Sequence, residues 1–325
     1  MKILVTGGLG FIGHNVMCKL EILGHDVSSV DMRTTYGVIA QAEQDHLIAA
    51  RMSKLVTVPH SMDICKVPDM NWVFEEYRPE IVINLASPPR QHIVDLSPLN
   101  SSRTMSEGLL NLLELSRSHK VKKFVHISSS MVYGNFIDNV TEDAPCSPIG
   151  KYGILKLAGE LLVRDHTRRY NLPHTIIRPS AVYGPLDVSE RVVARFLLAA
   201  MHGDVLTVNG SAEALDFTDV EDVSDGIVSA TLSSNTVNKT YNLTRGQGRT
   251  LLEAASLAIR IAGKGTLDVK DKDYHFPSRG MLNIDAARKD FEYNPTIDIE
   301  EGFKNYHEWL NGNTSFWSGQ TIFQS

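Results

Sequence analysis

The sequence predicts an α/β fold built on a doubly wound parallel sheet. In the first half of the chain, short β-branched runs alternate with amphipathic stretches of helical length. Repeated alternation of strand and helix patterns is typical of parallel sheets whose strands are connected by helices. The strand-like runs are almost continuously apolar, which is expected where helices cover both faces of a sheet. Both observations therefore favour the same fold class.

Six strands and four helices are predicted in this first half. The predicted strands span residues 3–5, 26–30, 55–58, 81–85, 124–128 and 175–178, and the predicted helices span residues 12–23, 72–77, 105–117 and 154–170. After Pro179 the alternation is less regular, with helices predicted over residues 191–202, 223–232, 251–262 and 300–310, and short strands over residues 205–208 and 216–220. We expect one unit over residues 1–178, with a returning segment near 210–245, and an interleaved smaller lobe over residues 179–325.

Composition and charge exclude several classes of protein. The 325 residues include 32 Lys+Arg and 38 Asp+Glu, a formal net charge of −6, so the chain as a whole does not attract nucleic acid or anionic membranes. No apolar run approaches the roughly 20 residues that cross a bilayer, and the start lacks the features of a signal peptide. The three cysteines have neither a metal-binding nor a disulfide-framework spacing. We therefore expect a cytoplasmic protein without a metal site.

A glycine cluster follows the first predicted strand. Gly8, Gly10 and Gly13 satisfy the pattern G-x-G-x-x-G, and Gly7, Gly10 and Gly13 satisfy the wider G-x-x-G-x-x-G. Glycines at this spacing allow a tight turn and a close approach of the backbone to a pyrophosphate, which the free N–H groups of the next helix then bind. A tight glycine turn without a ligand is the alternative interpretation.

Acidic residues after the second and third predicted strands favour a dinucleotide. Asp31 follows the glycine cluster by about 20 residues, where a carboxylate accepts hydrogen bonds from the adenosine ribose. Because a carboxylate repels a 2′-phosphate, NAD is favoured over NADP, although the nearby Arg33 could weaken that preference. Asp63 and Ile64 are predicted to contact the adenine, and a carboxylate facing water is the alternative for Asp63.

A serine-rich strand end and a Tyr-x-x-x-Lys pair suggest redox acid–base chemistry. Tyr152 and Lys156 lie four residues apart on a predicted helix and therefore share one face. A lysine ammonium beside a phenol lowers the pKa of the phenol, which would make Tyr152 a general base for a sugar hydroxyl while a hydride leaves to NAD. Residues 128–130 end a predicted strand at the ligand-binding edge of the sheet, where a serine could bridge to Tyr152. A serine-rich turn without function is the alternative.

In these segments the sequence resembles the extended short-chain dehydrogenase/reductases, specifically the NAD-dependent nucleotide-sugar epimerases and dehydratases such as UDP-glucose 4-epimerase. The resemblance spans roughly residues 1–310, and its most specific segments are residues 6–13, 84–86, 128–134, 152–160, 178–185 and 216–223. It implies a Rossmann-like domain, a smaller C-terminal α/β substrate lobe and a homodimer joined through two helices per subunit.

The resemblance also assigns site residues. It implies that Tyr152 is the catalytic base, that Lys156 lowers its pKa, and that Ser129 is the catalytic Ser/Thr. The expected contacts of the NAD cofactor are Gly7, Gly10, Phe11, Ile12, Gly13, Asp31, Met32, Arg33, Asp63, Ile64, Leu85, Ala86, Ser87, Tyr152 and Lys156.

Five positions depart from the family pattern. The 4,6-dehydratases of the family place an Asp-Glu pair where this chain has Ser130 and Met131, which argues against a dehydratase. Met105 replaces an asparagine, Ala181 replaces an asparagine that touches the substrate diphosphate, and Leu215 replaces an arginine that binds the nucleotide. Two losses at the diphosphate indicate that this chain binds its substrate in a different way. Either other arginines compensate for them, or the substrate is not a common UDP-hexose.

Other arginines are candidates for the diphosphate, since a guanidinium suits bidentate phosphate binding. For each of them singly, a solvated surface arginine is the alternative. The candidate substrate residues are Arg90, Ser130, Ala181, Arg191, Arg195, Arg249 and Arg279, with Arg245 as a further arginine. His92 is interpreted as a loop histidine or a substrate hydrogen-bond partner, with an extra catalytic acid as the alternative.

The leading hypothesis is an NAD-dependent epimerase of a nucleotide sugar that acts through a transient keto intermediate, at C4 as in most relatives. An NAD(P)-dependent sugar dehydrogenase or ketoreductase with the same Ser-Tyr-Lys triad is the alternative. A non-catalytic NAD-binding regulator is a minor alternative. The expected partners are a sugar substrate and a second copy of the chain, with no nucleic acid and no membrane.

Overall fold

In the computed structural model, the described part of the chain comprises residues 1–274, 277–313 and 317. Its strands are β1 (Lys2–Thr6), β2 (Asp26–Asp31), β3 (His60–Ser61), β4 (Ile81–Asn84), β5 (Lys123–Ile127), β6 (His174–Pro179), β7 (Val182–Tyr183), β8 (Val205–Asn209), β9 (Ala214–Asp216), β10 (Thr218–Asp219), β11 (Lys239–Leu243), β12 (Gly248–Thr250) and β13 (Thr266–Lys270). Its helices are α1 (Phe11–Ile22), α2 (Gln41–Met52), α3 (Val67–Tyr77), α4 (Gln91–Leu96), α5 (Pro98–Ser102), α6 (Leu109–Ser118), α7 (Lys151–Tyr170), α8 (Val192–His202), α9 (Val220–Leu232), α10 (Leu251–Ala262), α11 (Asp285–Phe291) and α12 (Ile299–Gly312). Among these helices, none is long and apolar enough to cross a membrane.

The central sheet has seven strands in the order β11-β6-β5-β4-β1-β2-β3, and every neighbouring pair is parallel. The chain moves outward from β1 to β3 and then crosses to β4 on the other side of β1, so the order reverses between β1 and β4. Open parallel sheets bind ligands at the carboxyl ends of the strands beside such a reversal. The predicted doubly wound α/β fold is confirmed.

Helices cover both faces of the sheet because successive strand residues point to opposite sides. On β1, Ile3 and Val5 pack into a core shared with α1 and α9, whereas Leu4 packs into a second core shared with α3 and α6. All three side chains are fully buried. A third core joins α8, α10 and α12 around Phe217.

The stretch between β2 and α3 differs from the prediction. Residues 55–58 are not a strand, since Val56 and Val58 are 85% and 57% exposed and the N–H groups of Val56 and Thr57 donate to the Glu21 carboxylate. The edge strand β3 follows them and pairs with the end of β2. Helix α2 was not predicted at all.

The second half also differs in detail. Residues 216–220, predicted as one strand, contain the end of β9, the two residues of β10 and the first residue of α9. The Asp219 side chain accepts a hydrogen bond from the Glu221 N–H and so caps α9. The division of the chain into two units stays a prediction, although β11, near the end of the expected returning segment, lies in the central sheet.

A buried lysine fastens α9 to the sheet. The Lys123 ammonium donates to the carbonyl oxygens of Ala230, Thr231 and Ser233 at 2.7 Å, 3.0 Å and 2.7 Å, and to the Thr236 hydroxyl at 2.6 Å. These are the last carbonyls of α9 and its cap, which have no partners within the helix. Lys123 therefore satisfies the end of α9 from inside the core.

We expect Lys123→Met to lower the free energy of unfolding by about 3 kcal/mol, because at least two of the three carbonyl oxygens lose their donor: the Thr236 hydroxyl can donate to that of Ala230 or of Ser233, but not to both. Lys122→Met is the matched control, since Lys122 is exposed and pairs with Glu80 at the surface. Urea denaturation of the two variants measures the difference. Equal stabilities would show that Lys123 does not stabilise the end of α9.

Candidate active site

A cavity of about 880 Å³ lies at the carboxyl ends of the sheet strands. The residues predicted as cofactor contacts all line it, namely Gly7, Gly10, Phe11, Ile12, Gly13, Asp31, Met32, Arg33, Asp63, Ile64, Leu85, Ala86, Ser87, Tyr152 and Lys156. They come from five separate stretches of sequence, which the parallel sheet brings to one edge. The cavity continues past Tyr152 to residues of the 179–195 segment, so one space is large enough for two ligands in contact.

The glycine cluster forms the turn that leads into α1. Gly7 has a φ of +76°, and a Cβ there would lie 2.9 Å from the Ala86 nitrogen. A Cβ on Gly13 would lie 2.1 Å from the Gly7 carbonyl oxygen, which accepts a hydrogen bond from the Gly10 N–H. Only glycine fits at these two positions. The free N–H groups of the first turn of α1 therefore face the cavity at the place where a pyrophosphate is bound in such loops.

Asp31 is held firmly at the end of β2. One carboxylate oxygen accepts the Leu9 N–H at 2.9 Å, and the other accepts the Arg33 N–H at 2.7 Å. Each oxygen keeps a lone pair for a ribose hydroxyl. The Arg33 guanidinium donates to the Pro59 carbonyl oxygen. A carboxylate anchored by the glycine turn itself is suited to the adenosine ribose of NAD and repels the 2′-phosphate of NADP.

Ser129, Tyr152 and Lys156 come together at the inner end of the cavity. Tyr152 lies in the first turn of α7, and its N–H donates to the Gln91 side-chain oxygen at 3.0 Å. The Lys156 ammonium lies 5.7 Å from the centre of the Tyr152 ring and donates to the Ile127 carbonyl oxygen at 2.9 Å. Ser129 follows β5, and its side-chain oxygen accepts the Met131 N–H at 3.2 Å. Gln91, which lines the cavity, thus fixes the start of the helix that carries Tyr152.

Burial is the largest influence on the pKa values of both Tyr152 and Lys156. Burial raises the pKa of Tyr152, and the Ser129 hydrogen bond and the charges of Arg191 and Arg279 only partly oppose it. Burial also lowers the pKa of Lys156 to about 8, against the attraction of Glu160. Removal of the phenol from water thus outweighs the nearby positive charges, and the lowering of the Tyr152 pKa by Lys156 stays a prediction.

A buried ion pair between Arg178 and Glu160 holds the elements that carry these three residues. Arg178 of β6 donates to both oxygens of Glu160 on α7, at 2.8 Å and 2.6 Å. Ser128, adjacent to Ser129, donates to Glu160 at 2.6 Å. Arg178 also donates to the Tyr133 hydroxyl at 2.8 Å. Because Glu160 is one helical turn from Lys156, this pair fixes α7 relative to β5 and β6.

Most of the predicted substrate residues line the same cavity: Arg90, Ser130, Ala181, Arg191, Arg195 and Arg279. Arg90 forms an ion pair with Glu190, and the Arg191 Nε lies 3.6 Å from an Asp187 oxygen. Burial, and then the charge of Arg191, lowers the pKa of Arg279 to about 10. The buried Nε of Arg279 has no hydrogen-bond partner among the described residues. Crowded guanidinium groups of this kind form an environment suited to an anion.

Two arginines are not brought to this cavity. Arg249 forms an ion pair with Glu300 beside a separate surface pocket between α10 and α12. Arg245 donates to the Pro295 carbonyl oxygen. Neither guanidinium group lines the cavity, and a diphosphate contact of Arg245 or Arg249 stays a prediction.

The other residues named in the sequence analysis either pack in the interior or line the cavity. Met105 packs against Tyr152 and Met131 in a small apolar cluster. His92 and Leu215 line the cavity. The structure also adds residues that the sequence analysis did not name, above all Arg51, Asp187 and Glu190. Because α2 is only weakly amphipathic, its sequence pattern does not indicate that Arg51 is buried at the cavity.

Comparisons with known proteins agree with this geometry. A family model described as the NAD dependent epimerase/dehydratase family matches residues 3–244. The uncharacterized UDP-glucose epimerase YtcB of Bacillus subtilis is 26% identical over 96% of this chain and 98% of its own length. The dTDP-glucose 4,6-dehydratase of Neisseria meningitidis is 28% identical over 97% of this chain and 95% of its own length.

Solved structures are similar over the same extent. The UDP-glucose 4-epimerase of Thermotoga maritima with UDP-glucose is 28% identical and superimposes with a TM-score of 0.86, covering 97% of this chain and 100% of its own. The UDP-glucuronic acid 4-epimerase of Bacillus cereus, in complex with UDP-glucuronic acid and NAD, is 26% identical with a TM-score of 0.87, covering 96% and 100%. The family is NAD dependent, and NAD is therefore the cofactor.

We expect Gly13→Ala to weaken NAD binding at least tenfold, because the new Cβ would lie 2.1 Å from a backbone oxygen of the glycine turn. Gly248→Ala is the matched control, since its nearest contact would be an ordinary 3.5 Å. Calorimetric titration of NAD into the protein freed of cofactor measures both affinities. An unchanged affinity for Gly13→Ala would contradict the assignment of this turn to the pyrophosphate.

Proposed function

Because the chain belongs to the NAD-dependent epimerase/dehydratase family, we propose that it epimerises a nucleotide sugar through a transient keto intermediate at C4. The observation that carries this proposal is the joint placement of Ser129, Tyr152 and Lys156 in the cavity that also contains the glycine turn and Asp31. The residues proposed to remove the proton and those proposed to bind the dinucleotide thus line the same cavity.

Each of the three residues has a distinct role in the proposed reaction. Tyr152 takes the proton of the ring hydroxyl, and Ser129, which lines the same cavity, orients that hydroxyl and relays the proton. Lys156 holds a positive charge beneath the Tyr152 ring and is placed to bind the nicotinamide ribose. When bound, NAD supplies the acceptor of the hydride and returns it. Tyr152 gives the proton back after the keto sugar has turned over, so no net oxidation occurs.

Two side chains support an epimerase over a dehydratase. A 4,6-elimination needs an acid and a base beside the catalytic serine, and the two positions after Ser129 are Ser130 and Met131. The Ser130 hydroxyl donates to the Ser180 hydroxyl at 3.0 Å, and Met131 packs in an apolar cluster. Neither side chain transfers a proton near neutral pH. This proposal therefore excludes the activity of the dehydratase relatives.

The arginines at the outer part of the cavity are the proposed anchor of the substrate diphosphate. Ala181 and Leu215 line the cavity without a polar group. Arg191, Arg195 and Arg279 line the same region. We propose that these guanidinium groups replace the two lost polar contacts. The nucleotide then lies toward the second lobe and the sugar toward Tyr152.

A homodimer is the proposed assembly. Two helices that pack side by side, α6 and α7, carry the exposed apolar side chains Leu110, Ile154 and Leu161, and Leu99 of α5 is exposed nearby in sequence. Paired helices with apolar side chains on the outer face suit a second copy of the same surface.

We expect Leu161→Glu to convert the dimer into a monomer, because it places a charge on a surface that would be buried. Ile137→Glu is the control, since Ile137 is equally apolar and 85% exposed but lies outside these helices. Sedimentation velocity measures the mass of each variant. A wild-type protein that sediments as a monomer would refute the proposed assembly.

We expect Tyr152→Phe to lower turnover at least 100-fold, since a phenyl ring removes no proton, while NAD stays bound. Tyr170→Phe on the same helix is the control, because Tyr170 lies far from the cavity lining. Epimer formation from UDP- and dTDP-hexoses, followed by chromatography, measures turnover, and the absorbance of released cofactor measures occupancy. Full activity of Tyr152→Phe would refute the proposed mechanism.

A further inference from the structure

Helix α2 carries two charged side chains that are almost fully buried. Arg51 is 5% exposed and Glu43 is 1% exposed. Charged side chains are rarely buried unless their hydrogen bonds are satisfied by the protein. Both side chains point to the segment of residues 184–191, which connects β7 to α8. The sequence places this segment about 140 residues away from α2, so the contact joins two distant parts of the chain.

The Arg51 guanidinium bridges the glycine turn and this segment. Its Nη1 donates to the Leu9 carbonyl oxygen at 2.9 Å. Its Nε and Nη2 donate to the Leu186 carbonyl oxygen at 3.2 Å and 2.6 Å. Leu9 also donates its N–H to Asp31. A continuous hydrogen-bonded path therefore runs from the ribose-binding carboxylate through Arg51 to residue 186.

Leu186 needs this support because of its backbone. Its φ is +71°, in the left-handed region that side chains with a Cβ disfavour. The side chain is buried, so the residue cannot relax toward solvent. Two donors on its carbonyl oxygen fix the peptide in this orientation. Strained backbone of this kind persists only where the surrounding structure imposes it, and it is concentrated at functional sites.

Further contacts hold the rest of the segment. The two oxygens of Glu43 accept the N–H and the hydroxyl of Ser189, each at 2.7 Å. The Tyr306 hydroxyl of α12 donates to the Asp187 carbonyl oxygen at 3.3 Å. The segment is thus anchored by α2 on one side and by α12 on the other, and Leu186 is the point nearest to the glycine turn.

The segment ends in residues that face the substrate part of the cavity. Glu190 pairs there with Arg90, and Arg191 lies near Asp187, one helical turn before it. Arg191 directly precedes α8, so its placement follows from the course of residues 186–190. A shift at Leu186 would move the proposed diphosphate anchor.

We propose that Arg51 is a positioning residue for substrate binding, which acts by holding the strained Leu186 peptide against the NAD-binding turn and thereby placing Arg191. The inference rests on the proposed function, because it assigns Arg191 to the substrate diphosphate. Arg51 itself is not a catalytic residue. Its three bonded nitrogens all donate to backbone oxygens, so its role is to join the two ligand-binding parts of the cavity.

The test compares Arg51→Met with Lys54→Met, which removes an exposed cation just after α2 and has no contact with residues 184–191. UDP is the probe, titrated by calorimetry into the NAD-bound proteins, with dTDP as the second probe. We expect Arg51→Met to weaken binding of the nucleoside diphosphate about tenfold, since loss of such a buried contact has an effect of this order. KM for the sugar substrate should rise equally, with kcat changed less than threefold. Lys54→Met should bind normally.

A second substitution separates positioning from general damage. Glycine adopts a positive φ without support, so Leu186→Gly in the Arg51→Met background should restore most of the lost affinity. If Arg51→Met does not fold, Arg51→Lys replaces it, because an ammonium reaches one of the two carbonyls but does not bridge both. The proposal would be overturned if Arg51→Met bound the nucleoside diphosphate with normal affinity, or if its loss were confined to kcat. It would also be overturned if Leu186→Gly restored none of the lost affinity.

Hydrogen exchange provides a readout that does not depend on the substrate. In the NAD-bound Arg51→Met protein, the amides of residues 184–191 should exchange at least tenfold faster than in wild type, while those of β5 should not change. Faster exchange in a protein without epimerase activity would support the positioning role and refute only the proposed function. Unchanged exchange in residues 184–191 would overturn the positioning role itself.

Discussion

The buried ion pair between Glu160 and Arg178 is the interaction on which the geometry of the site depends. It joins α7 to β6 through two hydrogen bonds, and the same carboxylate accepts a third from Ser128 on the neighbouring strand. Breaking such a pair leaves an uncompensated charge in the core, which is strongly unfavourable. Since Ser129 follows Ser128 and Lys156 precedes Glu160 by one turn, one carboxylate fixes the acid–base groups relative to each other.

The cavity then depends on contacts between parts of the chain that are far apart in sequence. The parallel sheet brings the glycine turn, Asp31 and the serine-rich strand end to one edge, and Arg191, Arg195 and Arg279 line the same cavity. Arg51 and Glu43 connect the two sides from a helix that contributes little to the apolar core. In this arrangement the glycine turn and residues 184–191 are parts of one hydrogen-bonded unit, and the proposed reaction takes place between them.

The sequence was sufficient to predict those parts of the fold and the site that depend on short-range spacing. The strand, the glycines and Asp31 follow a fixed spacing, and the separation of Tyr152 and Lys156 places both on one face of a helix. It was insufficient for α2, where Leu47 is the only fully buried apolar side chain and charged residues make the important contacts. Val56 and Val58 are β-branched but exposed. Arg249 and Glu300 are 51 residues apart, so their pairing could not be read from spacing. The direction of the Tyr152 pKa depends on burial, which only the folded chain defines.

The central claim is a redox-neutral reaction in which the protein regenerates its NAD without releasing it. The most direct test is to denature the purified protein, to which no cofactor has been added, and to identify and quantify the released small molecules by mass spectrometry. The account predicts close to one NAD per chain. Protein that contains no dinucleotide and turns over only with added NADH or NADPH would contradict it, and would identify a reductase with the same three catalytic residues.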